Sequence, residues 1–296
     1  MRVQAEAFFL SGKPAMSGQR FCLFYPAQGG AQDASIRGLV LHIHPFAEEM
    51  NKARRMVALQ ARALAQAGFD VMQIDLLGCG DSSGDFGDAT WAAWRQDVAC
   101  ACQWLRERTQ TQTRQALLAP SPPLWLWGLR AGCLLATQAA QSMQEPCHFL
   151  FWAPTPAGKP LLQQFLRLKA ASDLASGNAK VVMEGLRTDL TQGRPVEIAG
   201  YLLTPALANG LEQASLTPPP TDTPPASRVE WFELATREDA SLPPAAANTI
   251  ANWQLAGYAV RSHLVNGPAF WQTAEIEDAP ALIAATTAAL MEASAS

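Results

Sequence analysis

Residues Leu124–Ala136 read LWLWGLRAGCLLA. Four apolar residues run as a strand into the turn Gly128-Leu129-Arg130-Ala131-Gly132, and Cys133-Leu134-Leu135-Ala136 leaves it as an apolar helix. When a strand ends and a helix begins within two or three residues, the central residue is held in a strained backbone conformation. Its side chain then stands above the end of the sheet. Glycines on both flanks let the strand and the helix approach. A residue displayed this way is a natural place for a nucleophile, yet the centre here is Arg130. The plainer reading is an ordinary strand-to-helix turn carrying an exposed arginine.

The same unit recurs outward from this point. GLVLHIHP (Gly38–Pro45) precedes the helical stretch AEEMNKARRMVALQARALAQAG. FDVMQIDLLG (Phe69–Gly78) precedes a Gly/Ser loop and ATWAAWRQDVACACQWLRER, and HFLFWAP (His148–Pro154) extends the series. Strands alternating with helices predict βαβ units and a mostly parallel sheet with helices on both faces. Upstream, AEAFFL and RFCLFYPA predict an antiparallel pair at one edge. From Thr155 to Leu216 the spacing turns helical, in PLLQQFLRLKAAS and again in EIAGYLLTPALANGLEQA. LTPPPTDTPPASR follows; its prolines fix φ and remove backbone donors, so it is an extended loop. RVEWFELA (Arg228–Ala235) and YAVRSHLV (Tyr258–Val265) are two further strands, and APALIAATTAALMEA is a closing helix. The expected organisation is an α/β core made of residues 1–154 and 228–296, interrupted by a helical cap at 155–227 that ends in the proline-rich loop.

Of 296 residues, 49% are hydrophobic and 16% charged, with a formal charge of −4, enough apolar content for a sizeable core. No block of basic charge suggests nucleic acid. The N-terminus lacks the apolar stretch of a secretory leader, and no run approaches the ~18 apolar residues of a membrane span. A cytoplasmic location is expected. Cys22, Cys79, Cys100, Cys102, Cys133 and Cys147 show no zinc-ligand spacing and read as reduced, buried thiols. No metal, flavin or nicotinamide motif is present, so no cofactor is expected.

Asp75–Ser82 reads D-x-x-G-x-G-x-S and is followed by a Trp-containing helix with Asp97-Val98. Its glycines are misplaced for phosphate binding. Together with the elbow, this run resembles the α/β-hydrolase superfamily, in which the loop shapes a wall of the site. The resemblance implies an α/β-hydrolase fold with a helical cap. It also implies that the turn after His44-Pro45 donates a backbone N–H to an oxyanion hole. By that matching Phe46 supplies one N–H, since Pro45 has none, and Ala131 the other. Glu48 and Glu49 enter the following helix, where acids suit its dipole and Glu48–Lys52 has i,i+4 spacing. Asp239 in DASLP matches the acid position, with Glu233 and Glu238 as rivals. The catalytic histidine is expected near Phe270 or Trp271, neither of which moves a proton. His42, His44, His148 and His263 lie elsewhere in the sequence.

HPFAEEMNKARRM, GLRAG, FLRLK, AGYLL and GPAFWQTAEIEDAP together resemble the exosortase A system-associated hydrolase 2 family over nearly the whole chain. That resemblance implies a bacterial cytoplasmic protein linked to PEP-CTERM sorting and exopolysaccharide synthesis. A guanidinium neither attacks nor takes a proton near neutral pH. The first expectation is therefore a non-classical or inactive hydrolase. Its cleft would bind an acidic or acylated ligand, or a protein partner of that system. Arg130 would read the ligand with His44, Glu48 and Glu49 nearby, and would pair with Asp239, Glu48 or Glu49 when empty. The alternative is an active ester, thioester or acyl hydrolase with a relocated nucleophile, Cys133, Ser82 or Ser83, and His44 as base. A third possibility is an interaction protein that docks through its cap.

Overall fold

The computed structural model describes residues 3–11, 16–28, 36–112, 121–143, 146–172, 179–220, 227–237 and 239–293. An eight-stranded sheet forms the centre. Its strands are β1 (Glu6–Leu10), β2 (Arg20–Tyr25), β3 (Gly38–Ile43), β4 (Phe69–Ile74), β5 (Leu124–Leu129), β6 (His148–Trp152), β9 (Arg228–Ala235) and β10 (Ala259–Asn266). Their spatial order is β1-β2-β4-β3-β5-β6-β9-β10. β1 pairs antiparallel with β2 and β2 with β4; every later pairing is parallel.

Helices α1 (Glu48–Gln66) and α8 (Pro280–Ala293) cover one face; α2 (Trp91–Gln112), α3 (Ala131–Ser142) and α7 (Pro244–Leu255) cover the other. The period-two geometry of a strand explains this division. Along β5, Leu124 and Leu126 enter the α2/α3 core, while Trp125, Trp127 and Leu129 enter the α1/α8 core. All six residues of β5 are buried, as are all six of β3, as expected of central parallel strands covered on both sides. Helix α7 adds to the elements expected from sequence; it makes the crossover that parallel β9 and β10 require.

Between β6 and β9 the chain builds α4 (Gly158–Ser172), α5 (Ala179–Thr191), β7 (Val196–Ile198), β8 (Tyr201–Leu203) and α6 (Pro205–Gln213). EIAGYLLTPALANGLEQA is thus not one helical stretch. Its first half is a two-stranded hairpin with Ile198 opposite Tyr201. The reason lies in the two linking residues: Ala199 and Gly200 both have positive φ, at 49° and 83°. That is the backbone of a tight hairpin turn. Helix α6 begins only afterwards, capped by the Thr204 hydroxyl, which accepts from the Leu207 N–H at 3.3 Å. Gly210 on α6 faces Trp91 on α2 so closely that a methyl there would lie 2.3 Å from the Trp91 Cβ. This contact seats the cap on the core. Much of the proline-rich loop, residues 221–226, lies outside the described residues. No described helix is long and apolar enough to cross a membrane.

Candidate functional site

Arg130 sits between β5 and α3 with φ 56° and ψ −116°. Its N–H donates to the Trp152 carbonyl at 3.0 Å, and its carbonyl accepts from the Cys133 N–H at 3.0 Å. The flanking glycines are sterically required. A Cβ on Gly128 would lie 2.5 Å from the Cys133 nitrogen, and one on Gly132 would lie 2.2 Å from the Ile43 carbonyl oxygen. The second contact presses the first turn of α3 against the end of β3, beside His44-Pro45-Phe46. There a second sharp turn begins α1: Ala47 has φ 51° and ψ −126°. Ala131 is the first residue of α3, where helix amides have no partner within the helix, and Phe46 lies in the turn before α1.

The Arg130 guanidinium is enclosed, with 12% of its side chain exposed. It donates from Nη2 to Gln164 Oε1 at 2.8 Å and from Nε to Glu49 Oε1 at 3.4 Å. Trp271 lies 5.7 Å from it, ring centroid to Cζ. Glu49, 8% exposed at its side chain, belongs to α1, and Gln164 to α4 of the cap. The acid that meets Arg130 is therefore Glu49 rather than Asp239. Burial pushes the Glu49 carboxyl up to about 7, against the pull of Arg130 and with a further push from Glu48. Burial also raises Glu48 and Glu233; Arg130 pulls Glu233 back, after its hydrogen bond from Trp231. A small recess, with room for about one water, adjoins this pair, lined by Phe46, Glu48, Glu49, Leu161, Gln164 and Phe165.

The structure parts several expected residues from this centre. Asp239 is on an exposed loop, held by Arg237 at 2.8 Å, which keeps its carboxyl below the usual range. Glu238 lies outside the described residues. His44 is buried with both nitrogens engaged. Nδ1 faces the Pro45 carbonyl at 2.7 Å and so carries the proton; Nε2 accepts from the Leu76 N–H at 3.3 Å. Burial lowers its pKa. It is a neutral structural ring with no lone pair to offer a substrate. His42 packs on Trp127, His148 accepts from the Arg228 N–H, and His263 bonds Glu230 at 2.7 Å. Among the described residues, none of the four histidines hydrogen-bonds a serine or cysteine side chain. Cys133 is fully buried against the Trp152 carbonyl, and burial raises its thiol well above the ordinary value. Ser82 donates to the Asp75 carbonyl at 2.5 Å and accepts from the Phe21 N–H, while Ser83 accepts from the Gln19 N–H. Ser82 ties the Gly/Ser loop to β2, and Ser83 ties it to the residue before that strand. Lys52 reaches the Gln272 carbonyl at 3.5 Å.

One member of the site is not marked by the sequence. Gln164 comes from the cap, and nothing in PLLQQFLRLK distinguishes one glutamine from its neighbour. Trp271 is one of the two residues near which the resemblance places a histidine. In the structure it faces the guanidinium, a cation over an aromatic ring.

A family model described as serine aminopeptidase, S33, matches residues 34–202. The human protein ABHD12B is 27% identical over 107 residues, which are 36% of this chain and 25% of that protein. The match thus spans about a quarter of that relative's length. Three solved structures share the architecture. Est1E from Butyrivibrio proteoclasticus, with ferulic acid bound, superposes at TM-score 0.66 and 13% identity, covering 98% of this chain and 100% of that one. DcsB with its substrate analogue gives 0.58 at 12% identity, covering 99% and 100%. A soluble variant of the Saccharomyces cerevisiae monoglyceride lipase, with a substrate analogue, gives 0.57 at 12%, covering 99% and 95%. At such identities these likenesses establish the fold alone. With the strand order, the two sharp turns and the family match over more than half its length, the chain belongs to the serine aminopeptidase S33 family of α/β-hydrolase-fold proteins.

Proposed function

We propose that this protein binds a ligand in the elbow cleft without hydrolysing it. The observation that carries the reading is the contact between Arg130, at the position expected for the nucleophile, and Trp271, beside the Phe270/Trp271 position near which the base is expected. Neither side chain forms an acyl intermediate or relays a proton near neutral pH. The frame around them is kept: the strained centre, the small flanks, and the turn before α1. A retained oxyanion-type turn supports an acylated ligand, and Arg130 an acidic group or a protein partner. Neighbours crystallised with ferulic acid or a monoglyceride lipase substrate analogue make small acyl compounds the first class to test. The resemblance to the exosortase-associated family supports a cytoplasmic role beside PEP-CTERM sorting and exopolysaccharide synthesis.

The test is a panel of short- and long-chain acyl esters and thioesters with a fluorophosphonate probe. It is applied to wild type, Arg130→Ala, and Arg130→Ser combined with Trp271→His. Wild type is expected to show neither turnover nor labelling, and the double variant to gain labelling above background. Ester turnover by wild type that Arg130→Ala abolishes would overturn the reading.

A further inference from the structure

The sheet ends on one side at β10, and this edge lacks the usual guards. The N–H groups of Ala259 and Gly267 donate toward the β9 side, to the Ser227 and Ala235 carbonyls. The alternation of a strand then turns the backbone of Arg261, His263 and Val265 the same way. Val260, Ser262, Leu264 and Asn266 direct their backbone donors and acceptors outward, and among the described residues no strand pairs with them. Natural edges are blunted by lysine, proline, a bulge, shortness or a covering segment. β10 has eight residues and neither lysine nor proline. Its pairing with β9 runs without a bulge from Ala259–Arg228 to Asn266–Ala235. Its arginine, Arg261, is drawn back onto Glu230 and Glu292. The opposite edge differs: β1 has five residues and carries the Glu6–Arg108 ion pair. Apolar side chains also gather about β10. Leu264 is 40% exposed, Leu255 at the end of α7 is 87% exposed, and Met291, next to the Glu292 that reaches Arg261, is 42% exposed.

We propose that β10 pairs antiparallel with β10 of a second copy of this chain, about a two-fold axis at Ser262, joining the two sheets into one. The strand is complementary to itself in that register. Val260 of one copy lies opposite Leu264 of the other, apolar against apolar on the α7 side. Ser262 meets Ser262, and its small side chain leaves the approach open. On the α8 side Arg261 lies opposite His263, and each already holds the buried Glu230 of its own copy, so the basic groups arrive with their acid. Moving the axis to His263 would oppose two imidazoles and set Leu264 against Ser262. A self-complementary edge fits a two-fold dimer, the commonest closed assembly. Leu255 and Met291 extend the contact beyond the strands, toward the roughly 800 Å² per partner of a standard interface. Antiparallel pairing sends the two elbows to opposite ends of the joint sheet. Neither cleft is buried by it, and the inference stands apart from what the cleft binds.

The test is sedimentation-velocity ultracentrifugation of the full chain over a concentration series. Wild type is expected to sediment as a dimer. Ser262→Pro removes an outward N–H and leaves the bonds to β9 in place. Leu264→Lys sets a charge into the apolar pair. Each should shift the chain to monomer while its circular dichroism and cooperative melt are kept. Ser262→Cys should form a covalent dimer under mild oxidation, because Cα atoms about 5.5 Å apart suit a disulfide. The six native thiols are buried and do not compete. Ala7→Lys, on β1, is the control and should remain dimeric. A wild type that is monomeric at every concentration overturns the proposal. A dimer that survives both Ser262→Pro and Leu264→Lys, or one that Ala7→Lys dissolves, puts the contact elsewhere and overturns it too.

Discussion

Arg130 and Glu49 form an imperfect pair. A guanidinium and a carboxylate at their best make two parallel bonds of about 2.8 Å. Here one carboxylate oxygen serves two nitrogens at 3.4 Å, and the short bond goes to the neutral Gln164. The consequence is readable in solution. The folded Glu49 carboxyl titrates at about 7, against an ordinary glutamate value of 4.5. The folded state therefore holds a proton that the unfolded chain gives up earlier. The associated stability is fully present below about pH 4.5 and is lost as pH rises through about 7. Its size is on the order of 2–3 kcal/mol. Denaturant melts from about pH 4.5 to about pH 8 should show wild type losing that much relative to Glu49→Gln, whose curve lacks this step. Parallel curves would mean that Glu49 is fully ionised throughout the range. At this scale the sequence was informative about Arg130 and about acids following His44-Pro45. It could not choose among Glu48, Glu49 and Asp239. That choice depends on α1 starting from a positive-φ residue, which turns Glu49 inward, and on the Arg237 side chain taking Asp239 locally.

The elbow is an element held by absent side chains. Gly132 lets α3 touch the end of β3, and the methyl of an alanine would enter the Ile43 carbonyl. Gly132→Ala should cost about 1–3 kcal/mol or more, as overpacking against immobile backbone does. Gly185, inside α5, is the matched control: a methyl there would meet nothing within 4 Å. Gly185→Ala should stabilise by about 0.5–1 kcal/mol, from helix propensity alone. Chemical denaturation of the two variants separates steric from conformational effects, and equal responses would refute the close approach. Strand-and-helix alternation made these elements legible, because central parallel strands are continuous apolar runs. The β7–β8 hairpin was not legible. Three-residue strands are too short for a period to emerge, and the deciding feature, positive φ at Ala199, belongs to a residue that rarely adopts it.

Across the whole molecule, the two sides of the sheet are not equivalent. The face beneath α2 and α3 continues into the cap through Trp91, Phe165 and Leu211, so site, cap and core share one apolar mass. The opposite face is closed by α1 and α8 and carries its own polar brace. Fully buried Glu230 is bound by Arg261 at 2.7 Å and by His263 at 2.7 Å, and Arg261 is held in turn by Glu292. A mostly parallel sheet with an antiparallel pair at one edge was legible in the alternation of strands and helices, whereas the strand order was not. Nor was the cap's seating legible, since it depends on contacts between segments far apart in sequence, such as Gly210 against Trp91.

All six cysteines are buried and spread through the core: in β2, the Gly/Ser loop, α2, α3 and the approach to β6. Burial pushes the thiols of Cys22 and Cys147 up to about 12, and raises those of Cys79 and Cys133 as well. A thiol reacts as its thiolate, so such groups are chemically silent while the fold is closed. The protein thus contains six internal timers of its own opening. In a maleimide pulse followed by mass spectrometry, a cooperative fold adds all six labels together at the rate of global unfolding. A cap that breathes independently of the sheet adds none of them early, because no cysteine lies within it.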